Sequence, residues 1–328
     1  MNDLILRAWK NKNLFFYIVL IPLSWLFTGL TALRRLLYRV GLLRSYLLPV
    51  PVIVVGNINM GGSGKTPAVI WLVNQLKEHG YRPGVISRGY GAKVTQPMSV
   101  KADSLPEEVG DEPVLIAQKT GCPLYVSADR VSAGNSLLKM HPECNVIISD
   151  DGLQHYRLQR QIEIAVVDQQ SQPNQHLLPA GQLREPYTRL ESVDAVILNG
   201  NEHLLAGYLM QLQTSDLYNL LNPDLKKSVG YFQGKHVAAM AGIGKPERFF
   251  KQLQTLGLQF TQWPFNDHHA FTSQELSNIK CDALIMTEKD AVKCQAFAEA
   301  HHWVLPVAAK IDGGLMPMLL SKLKQKTK

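Results

Sequence analysis

The chain has 328 residues, enough for one large α/β domain or two smaller ones with a substantial buried core. Hydrophobic residues make up 46% and charged residues 19%, so the composition excludes a disordered tail and a coiled coil. The net charge of +7 is concentrated at the ends: residues 1–50 supply +6, whereas residues 51–320 carry −3. Because duplex-binding proteins spread basic charge over a folded face, this distribution argues against nucleic-acid binding. The four cysteines lie far apart and predict free thiols, with neither a zinc site nor a disulfide framework.

The amino-terminal segment carries an apolar run, LFFYIVLIPLSWLFTGLTAL, which covers residues 14–33 without a charge. This length is that of a membrane-spanning helix, although Pro22 predicts a kink. Arg34 and Arg35 follow directly and no small-residue cleavage site is present, which argues against a cleaved signal peptide. Basic residues on both flanks suit contact with anionic headgroups. We expect residues 1–45 to form a membrane-associated helical segment, and whether it spans the bilayer or lies in its interface stays open.

After residue 50, short apolar runs predict buried strands, and the amphipathic stretches between them predict helices. The predicted strands are Val52–Val55, Gly84–Ser87, Leu124–Val126, Val146–Ser149, Ile162–Val167, Ala195–Leu198, His236–Ala241 and Ala283–Thr287, and the predicted helices include Pro67–His79 and Glu247–Leu256. Residues 201–230 are polar and predict helix without a strand. The pattern indicates an α/β fold with a mostly parallel sheet covered on both faces. We expect a core domain at 46–230 and a smaller α/β domain at 231–328.

The strongest local signal is VIVVGNINMGGSGKTP at residues 52–67, where a buried strand runs into a glycine-rich turn and then an amphipathic helix. This is the pattern of a P-loop, in which backbone N–H groups surround phosphate oxygens and the helix N-terminus adds its dipole. Lys65 is expected to reach the β- and γ-phosphates, and Thr66 to bind Mg²⁺. The first glycine of the usual pattern is replaced by Asn59, a residue that tolerates left-handed backbone better than most. The residues expected around the nucleotide are Asn59, Met60, Gly61, Gly62, Ser63, Gly64, Lys65 and Thr66.

A P-loop also predicts an acidic residue at the end of a neighbouring strand, where it holds Mg²⁺ through water. The strand NVIIS at 145–149 is followed directly by Asp150 and Asp151, which fit that description. We therefore expect a nucleoside-triphosphate site with ATP and Mg²⁺ as cofactors and these two carboxylates near the metal.

Taken together, the motifs resemble one family, the lipid A 4′-kinases (tetraacyldisaccharide 4′-kinases) of Gram-negative bacteria. The matching pieces occur in the family's order and cover residues 10–310; they are VVGNINMGGSGKTP (54–67), ISRGYG (86–91), VGDEP (109–113), SADR (127–130), DDGLQHY (150–156), LLPAGQLREP (177–186), AMAGIGKPERFF (239–250), DHHAF (267–271) and TEKDAVK (287–293). The family also lacks the glycine that Asn59 replaces.

The resemblance implies a P-loop kinase that transfers the γ-phosphate of ATP to the 4′-hydroxyl of a tetraacylated glucosamine disaccharide 1-phosphate. It also implies an enzyme of the inner membrane that acts on the cytoplasmic side. The apolar amino-terminal segment agrees, because a lipid kinase must reach a headgroup at the bilayer surface. The partners implied are therefore the lipid substrate and the membrane surface, and no obligate protein partner is evident.

For the catalytic base, the resemblance points to Asp111, which works with a histidine from the DHH sequence. Both His268 and His269 fit, with a slight preference for His269. Since this histidine follows the boundary between the two predicted domains, the active site is expected in the cleft between them, where closure excludes water. Glu112, beside Asp111, is a candidate for an additional Mg²⁺ contact.

Two arginines are candidates for substrate binding. Arg184 follows a turn-forming stretch and is expected to meet a phosphate of the substrate or the nucleotide, since a guanidinium binds phosphate bidentately. Arg88 follows the second predicted strand, at the edge that faces the ligand crevice in an open parallel sheet, and is expected near the lipid's 1-phosphate or sugar. For the charged sequence Glu288–Lys289–Asp290, helix capping and catalysis both remain open.

Two other classes of P-loop protein compete with the kinase interpretation. A membrane-associated ATPase switch carries a second lysine before the paired glycines, where this chain has Met60, and its membrane helix is usually carboxy-terminal. A GTPase requires the guanine-reading sequence N-K-x-D, and the nearest match, TEKD at 287–290, lacks the asparagine. Both features favour the kinase.

Overall fold

The computed structural model describes residues 14–91, 94–168, 176–200 and 206–325, which form two β-sheets with helices on their faces. The described helices are α1 Leu14–Arg39, α2 Lys65–Glu78, α3 Pro106–Val109, α4 Asp111–Thr120, α5 Arg130–Met140, α6 Pro246–Thr255, α7 Ser273–Ser277, α8 Glu288–Cys294 and α9 Leu315–Gln325, with short 3₁₀ helices at Tyr187–Ser192, Val229–Phe232 and Gln295–Phe297. The described strands are β1 Val52–Gly56, β2 Pro83–Ser87, β3 Met98–Val100, β4 Leu124–Val126, β5 Val146–Asp150, β6 Ile162–Asp168, β7 Ala195–Asn199, β8 Tyr208–Thr214, β9 Leu217–Asn219, β10 Lys226–Lys227, β11 Val237–Ala241, β12 Thr261–Pro264, β13 Ala283–Thr287, β14 His302–Leu305 and β15 Val307–Ile311. The predicted α/β class is confirmed.

The first sheet has the strand order β15-β8-β7-β6-β1-β5-β2-β4-β3 within the described ranges, and only its two edge pairs are antiparallel. β1 lies near the middle and is buried on both faces: Ile53 and Val55 pack against α2, α4 and α9, whereas Val52 and Val54 pack against α5. This double coverage explains why the strand is a continuous run of β-branched residues and not an alternating one. It also places the loop after β1 at the carboxyl edge of the sheet, where ligands bind in open α/β folds.

The second sheet, with the order β10-β9-β14-β13-β11-β12 in the described part of the chain, has four parallel strands and an antiparallel edge. Two short connections join the sheets, residues 215–216 between β8 and β9, and Pro306 between β14 and β15. β8 pairs with β15 in the first sheet, and β9 pairs with β14 in the second. A two-stranded antiparallel ribbon therefore runs from one sheet into the other.

Strand pairing crosses the expected boundary between 46–230 and 231–328 at two places. Residues 217–227 supply β9 and β10 to the second sheet, and residues 307–325 return to the first sheet as β15 and α9. The two sheets therefore do not separate at residue 230. The domain boundary at 230 stays a prediction.

The expectation of helix without strand in residues 201–230 was wrong, because residues 208–214, 217–219 and 226–227 form β8, β9 and β10. Their polar composition reflects exposure, since Gln211, Leu212 and Gln213 of β8 are exposed. Pairing with β7 on one side and β15 on the other fixes the extended backbone, and β15 comes from a segment almost a hundred residues later in the chain. Residues 201–205 lie outside the described residues.

Helix α1 contacts the folded domain by one stripe of side chains, which meets Tyr156, His176, Leu177 and Ser192, and exposes the remainder. Ser24 is buried and its hydroxyl donates to the carbonyl of Leu177 at 2.8 Å, while Phe27 packs against the core. Trp25 is 71% exposed, and the leucines at 23, 26, 30, 33 and 36 are also exposed along the helix. Residues 17–39 have a mean hydropathy of 1.4, so by length and composition they are able to cross a membrane. The first 13 residues of the expected 1–45 segment lie outside the described part.

One buried histidine of the second sheet makes the fold sensitive to acid. Burial lowers the pKa of His302 to about 4, and its Nδ1 accepts a hydrogen bond from the backbone N–H of Glu299 at 3.1 Å. An unfolded histidine has a pKa of about 6.5, so the unfolded state binds a proton that the folded state excludes between these values. Stability is therefore present above about pH 6.5 and falls as the pH decreases towards 4.

We predict that His302→Asn reduces the loss of unfolding free energy between pH 7 and pH 5 by up to about 2 kcal/mol. Chemical denaturation at several pH values measures this slope. Asparagine keeps an acceptor for the Glu299 N–H. Part of the pH dependence of the unfolding free energy is expected to remain, because burial also lowers the pKa of His155 to about 4. Equal slopes for the variant and the wild type contradict the prediction.

Candidate active site between the two sheets

The phosphate loop occupies residues 57–64, between the end of β1 and the start of α2. Gly64 caps α2 with a φ of 91°, and a Cβ at this position would lie 2.7 Å from Asn199 Nδ2. Only glycine satisfies both the backbone conformation and this close approach. Asn199 in turn donates to the carbonyl of Ser63 at 3.1 Å, and Asn57 donates to the Ser63 hydroxyl at 3.2 Å. The loop is thus held from below by two buried amide side chains.

Asn59 does not adopt the left-handed conformation that the usual glycine suggests. Among the described residues, the only non-glycines with positive φ are Asp151 and His268, so Asn59 has ordinary backbone geometry. It is buried and forms a β-bridge with Leu183. The adjacent backbone bonds, Met60 N to Gln182 O at 2.8 Å and Arg184 N to Ile58 O at 2.7 Å, fasten the 182–184 segment to the phosphate loop. This pairing brings Arg184 to the site.

The two carboxylates at the end of β5 have opposite environments. Asp151 is bonded by Arg184 at 3.1 Å and lies 3.4 Å from Lys65 Nζ. Burial alone would raise the pKa of Asp151, but these two cations lower it to about 2. Asp150 is almost fully buried and accepts from the Ser87 hydroxyl at 2.9 Å through Oδ2. Burial, and then the nearby Glu112 and Asp151 carboxylates, raise the pKa of Asp150 above its ordinary range.

Asp111 and His268 are in direct contact, although 157 residues separate them. Asp111 opens α4 directly after Gly110, whose φ is 95°, and its side chain is buried. His268 Nδ1 lies 3.0 and 3.2 Å from the two carboxylate oxygens of Asp111. The hydrogen bond that His268 donates to the Asp111 carboxylate raises the pKa of His268. Burial alone would raise the pKa of Asp111, but the His268 hydrogen bond and the Lys289 charge hold it below its ordinary value.

His269 faces away from this contact. Its Nε2 lies 3.0 Å from Glu275 Oε1, and its ring is packed between Phe265 and Phe271, each with a centroid distance of 4.8 Å. The slight preference for His269 as the partner of Asp111 therefore does not agree with the geometry. The reason is local backbone conformation: His268 has a φ of 60°, which turns consecutive side chains in different directions.

Lys289 joins the acidic residues of both sheets. Its ammonium lies 3.0 Å from Glu112, 3.5 Å from Asp267 and 4.0 Å from Asp111. Burial alone would lower the pKa of Lys289, but these three carboxylates raise it above its ordinary value. The side chain is therefore a charged ammonium at neutral pH.

A second set of ion pairs also connects the sheets. Asp168, at the end of β6 and fully buried, is bonded by Lys245 and by Arg248, which come from the start of α6. The loop before α6 lies directly over the phosphate loop, since a Cβ on Gly244 would be 3.4 Å from the backbone nitrogen of Gly62. In this structure, the cleft is closed on the side of the phosphate loop.

These elements enclose a cavity of about 1150 Å³ between the sheets. Of the predicted site residues, those that line it are Met60, Gly61, Gly62, Ser63, Gly64, Lys65, Thr66, Arg88, Glu112, Asp151, Arg184 and His268. Asp111 and Asp150 lie behind this lining: Asp111 contacts the lining residue His268, and Asp150 directly precedes the lining residue Asp151. Asn59 supports the phosphate loop through its bridge with Leu183, and His269 contacts Glu275 instead of the cavity. The wall also contains α1 residues, among them Phe27, Arg35 and Arg39, so that one cavity reaches from the phosphate loop to the apolar helix.

The sequence analysis did not assign several charged residues of the site, among them Arg130, and for Lys289 it left capping and catalysis open. Arg130 is buried at the start of α5, and its guanidinium donates to the carbonyls of Asp150 and Asp151 at 3.5 and 3.4 Å. A usable signal was present for Arg130, because a charged residue in SADR follows β4 closely at the ligand-binding edge. Lys289 gave no comparable signal, since its partners come from segments far away in the chain.

Comparison with known proteins gives a consistent result over nearly the whole chain. A family model described as LpxK, tetraacyldisaccharide-1-P 4′-kinase, matches residues 16–324. The chain is 54% identical over 307 residues to the tetraacyldisaccharide 4′-kinase of Methylobacillus flagellatus, which covers 93% of this chain and 92% of that protein. It is 48% identical over 313 residues to the corresponding kinase of Azoarcus sp. strain BH72, with 94% and 92% coverage. A crystal structure of LpxK from Aquifex aeolicus, described as an "apo" form in complex with ATP, superposes with a TM-score of 0.77 at 30% identity, covering 92% of this chain and 98% of that one.

Proposed function

Since the chain belongs to the tetraacyldisaccharide-1-P 4′-kinase family, we propose that the cavity between its sheets is where it transfers the γ-phosphate of ATP to the 4′-hydroxyl of tetraacyldisaccharide 1-phosphate. The protein is an ATP-dependent kinase of lipid A biosynthesis. The observation that carries the assignment of the site is the contact of Asp111 with His268 in a space that the phosphate loop also lines.

The phosphate loop binds the ATP phosphates through its backbone amides and Lys65. Residues 61–64 supply the turn, and the N-terminus of α2 favours the negative charge. Lys65 is held by Asp151 at 3.4 Å, so its ammonium is oriented before ATP enters. This arrangement lowers the entropy that is lost when the phosphates are positioned.

The residues near Asp150 fit a magnesium ion. Its Oδ1 is buried and has no hydrogen-bond partner among the described residues, and Glu112 and Asp151 are close enough to raise its pKa. Such a group of carboxylates next to a phosphate loop has the hard oxygen ligands that Mg²⁺ prefers. Thr66, Glu112, Asp150 and Asp151 are the residues that would hold it. When bound, the metal neutralises charge on the phosphates during transfer.

Asp111 is the catalytic base and His268 is its partner. Asp111 is ionised at neutral pH and accepts the proton of the 4′-hydroxyl as the oxygen attacks the γ-phosphorus. His268 Nδ1 donates to the carboxylate and holds one orientation of it, because both oxygens lie within 3.2 Å of that nitrogen. His268 comes from the second sheet, so the pair is assembled only when both sheets meet.

Arg88 and Arg184 are the two arginines that bind phosphate or sugar groups of the substrates. Arg88 is exposed into the cavity and meets the 1-phosphate or the sugar of the lipid. Arg184 is bonded to Asp151 beside Lys65, a position from which its guanidinium reaches a phosphate of the nucleotide or the substrate.

Helix α1 lies in the membrane interface and does not cross the bilayer by itself. Its docked stripe extends from Tyr17, whose ring contacts His176, to Tyr38, whose ring contacts Tyr156. A helix bound along its length to a folded domain presents only its outer face to lipid. That face is apolar, with arginines near its carboxyl end, as expected for an interfacial helix at the cytoplasmic side of the inner membrane.

The direct test is transfer of radiolabelled γ-phosphate from ATP to tetraacyldisaccharide 1-phosphate in mixed detergent micelles. We expect a labelled bis-phosphorylated lipid that requires Mg²⁺, and we expect Lys65→Ala to abolish it, since Lys65 is placed at the phosphates. Release of free phosphate on addition of membranes, without labelled lipid, would contradict the proposal and indicate a membrane-activated ATPase switch.

A second prediction separates the two adjacent histidines. We expect Asp111→Asn to lower kcat about 10²–10⁴-fold, because a general base contributes that factor, while ATP affinity stays near the wild-type value. We also expect His268→Gln to lower kcat, whereas His269→Gln is expected to keep most of the wild-type kcat. Steady-state kinetics and ATP titration of the three variants measure this. A larger loss for His269→Gln than for His268→Gln would refute the assignment.

The membrane face gives a third prediction. Trp25→Glu and Leu26→Glu place a charge on the exposed side of α1, so binding to vesicles of anionic phospholipid is expected to fall about tenfold or more. ATP affinity is expected to be unchanged. Leu221→Glu is the matched control, since Leu221 is 59% exposed but belongs to the part of the chain that follows β9. Equal vesicle binding of all three variants argues against the interfacial role of α1.

A further inference from the structure

Lys289 occupies a position where the acidic residues of the two sheets meet. It is the second residue of α8, directly after β13, and its side chain is 17% exposed. Asp111 and Glu112 approach it from the start of α4, below the first sheet's edge, and Asp267 approaches it from the loop after β12. Three carboxylates from two bodies of the fold are therefore gathered around one ammonium group.

The two shortest of these contacts are made with partners from different sheets. Lys289 Nζ lies 3.0 Å from Glu112 Oε1 and 3.5 Å from Asp267 Oδ1. Asp267 directly precedes His268, and the His268 backbone N–H donates to the carbonyl of Gly242 at 3.3 Å. The loop that carries His268 is thus fixed at two points, by that backbone bond and by the ion pair of Asp267 with Lys289.

Helix capping does not explain the presence of Lys289 at the start of α8. The Thr287 hydroxyl accepts from the backbone N–H of Asp290 at 3.2 Å and donates to the Asp290 carboxylate at 2.7 Å, so α8 has its N-cap without Lys289. Of the two roles left open for the Glu288–Lys289–Asp290 sequence, capping belongs to Thr287 and Asp290. The long side chain of Lys289 extends instead to the opposite sheet.

We propose that Lys289 is a positioning residue, whose ammonium draws Asp267 and Glu112 together and thereby sets His268 against Asp111. Without the cation, the carboxylates of Asp111, Glu112 and Asp267 repel one another, and the loop of residues 267–269 moves away from α4. His268 then loses the geometry in which it orients the base. This inference rests on the proposed roles of Asp111 and His268.

The test is a double-mutant cycle between Lys289→Met and His268→Gln, read out as kcat and as KM for ATP. If Lys289 acts through His268, Lys289→Met lowers kcat about tenfold or more in the wild-type background and about twofold or less in the His268→Gln background. KM for ATP is expected to stay within about threefold of wild type. Lys289→Arg, which keeps the cation, is expected to restore most of kcat.

Lys119→Met is the matched control. Lys119 on α4 pairs with Glu288 on α8, so this variant removes another ion pair between the same two helices without touching the Asp111–His268 contact. It is expected to keep a kcat near wild type. The melting temperature of each variant shows whether the variant is folded. If Lys289→Met does not fold, the kcat of Lys289→Arg in the two backgrounds is compared instead.

Three results would overturn the inference. They are an equal kcat loss for Lys289→Met in both backgrounds, an equal loss for Lys119→Met, and a loss that appears as a raised KM for ATP, which would indicate a direct phosphate contact. If His268→Gln alone keeps the wild-type kcat, the proposed role of His268 fails, and the role of Lys289 fails with it. If His268→Gln lowers kcat, but the kcat loss of the double variant is the product of the two single losses, only the inference about Lys289 fails.

Discussion

Buried negative charge at the edge of the first sheet requires a compensating cation from another segment, and this requirement organises the site. Asp151 is paired with Lys65 of the phosphate loop and with Arg184 of the 182–184 segment. Carboxylates near phosphates are unfavourable unless such cations, or a metal, are present, because burial weakens the screening by water. Each pair also ties together two distant parts of the chain. The electrostatics that prepare the site for a polyanion therefore also fix its shape.

The two sheets contribute different parts of the chemistry. The first sheet supplies the phosphate loop and Asp111, and it is mostly parallel, with strand ends and an adjoining helix N-terminus that suit phosphate binding. The second sheet brings His268 and Lys289, and the start of α6 with Lys245. In the described part of the chain, the backbone passes between the sheets at residues 215–216 and at Pro306. The charge pairs across the cleft add to the packing of Val292 of α8 into the core of the first sheet. In the proposed mechanism, assembly of the base and exclusion of water are one event.

The membrane helix and the phosphate site share a structural support. The carbonyl of Leu177 accepts a hydrogen bond from the hydroxyl of Ser24 on α1. Leu183, six residues later, forms a β-bridge with Asn59 of the phosphate loop. One short segment therefore contacts both the apolar helix and the nucleotide site. With α1 in the proposed interfacial position, this arrangement sets the height of the phosphate loop above the membrane surface, so that the lipid headgroup stays close to the bilayer during the reaction.

The features that depend on neighbouring residues were predictable from the amino-acid sequence: the phosphate loop, the buried strand β1, the acid pair after β5 and the apolar run of α1. Nine ordered motifs also identify the family. Which distant residues meet depends on the tertiary structure. β8 and β9 were not predicted because their pairing with β7, β15 and β14 comes from other parts of the chain. His268 and His269 have the same side chain and adjacent positions, and only the positive φ of His268 distinguishes them. The ion-pair partners of Lys289 were not predicted for the same reason: periodicity and spacing report local geometry, whereas ion pairs across a cleft depend on how the two sheets are placed.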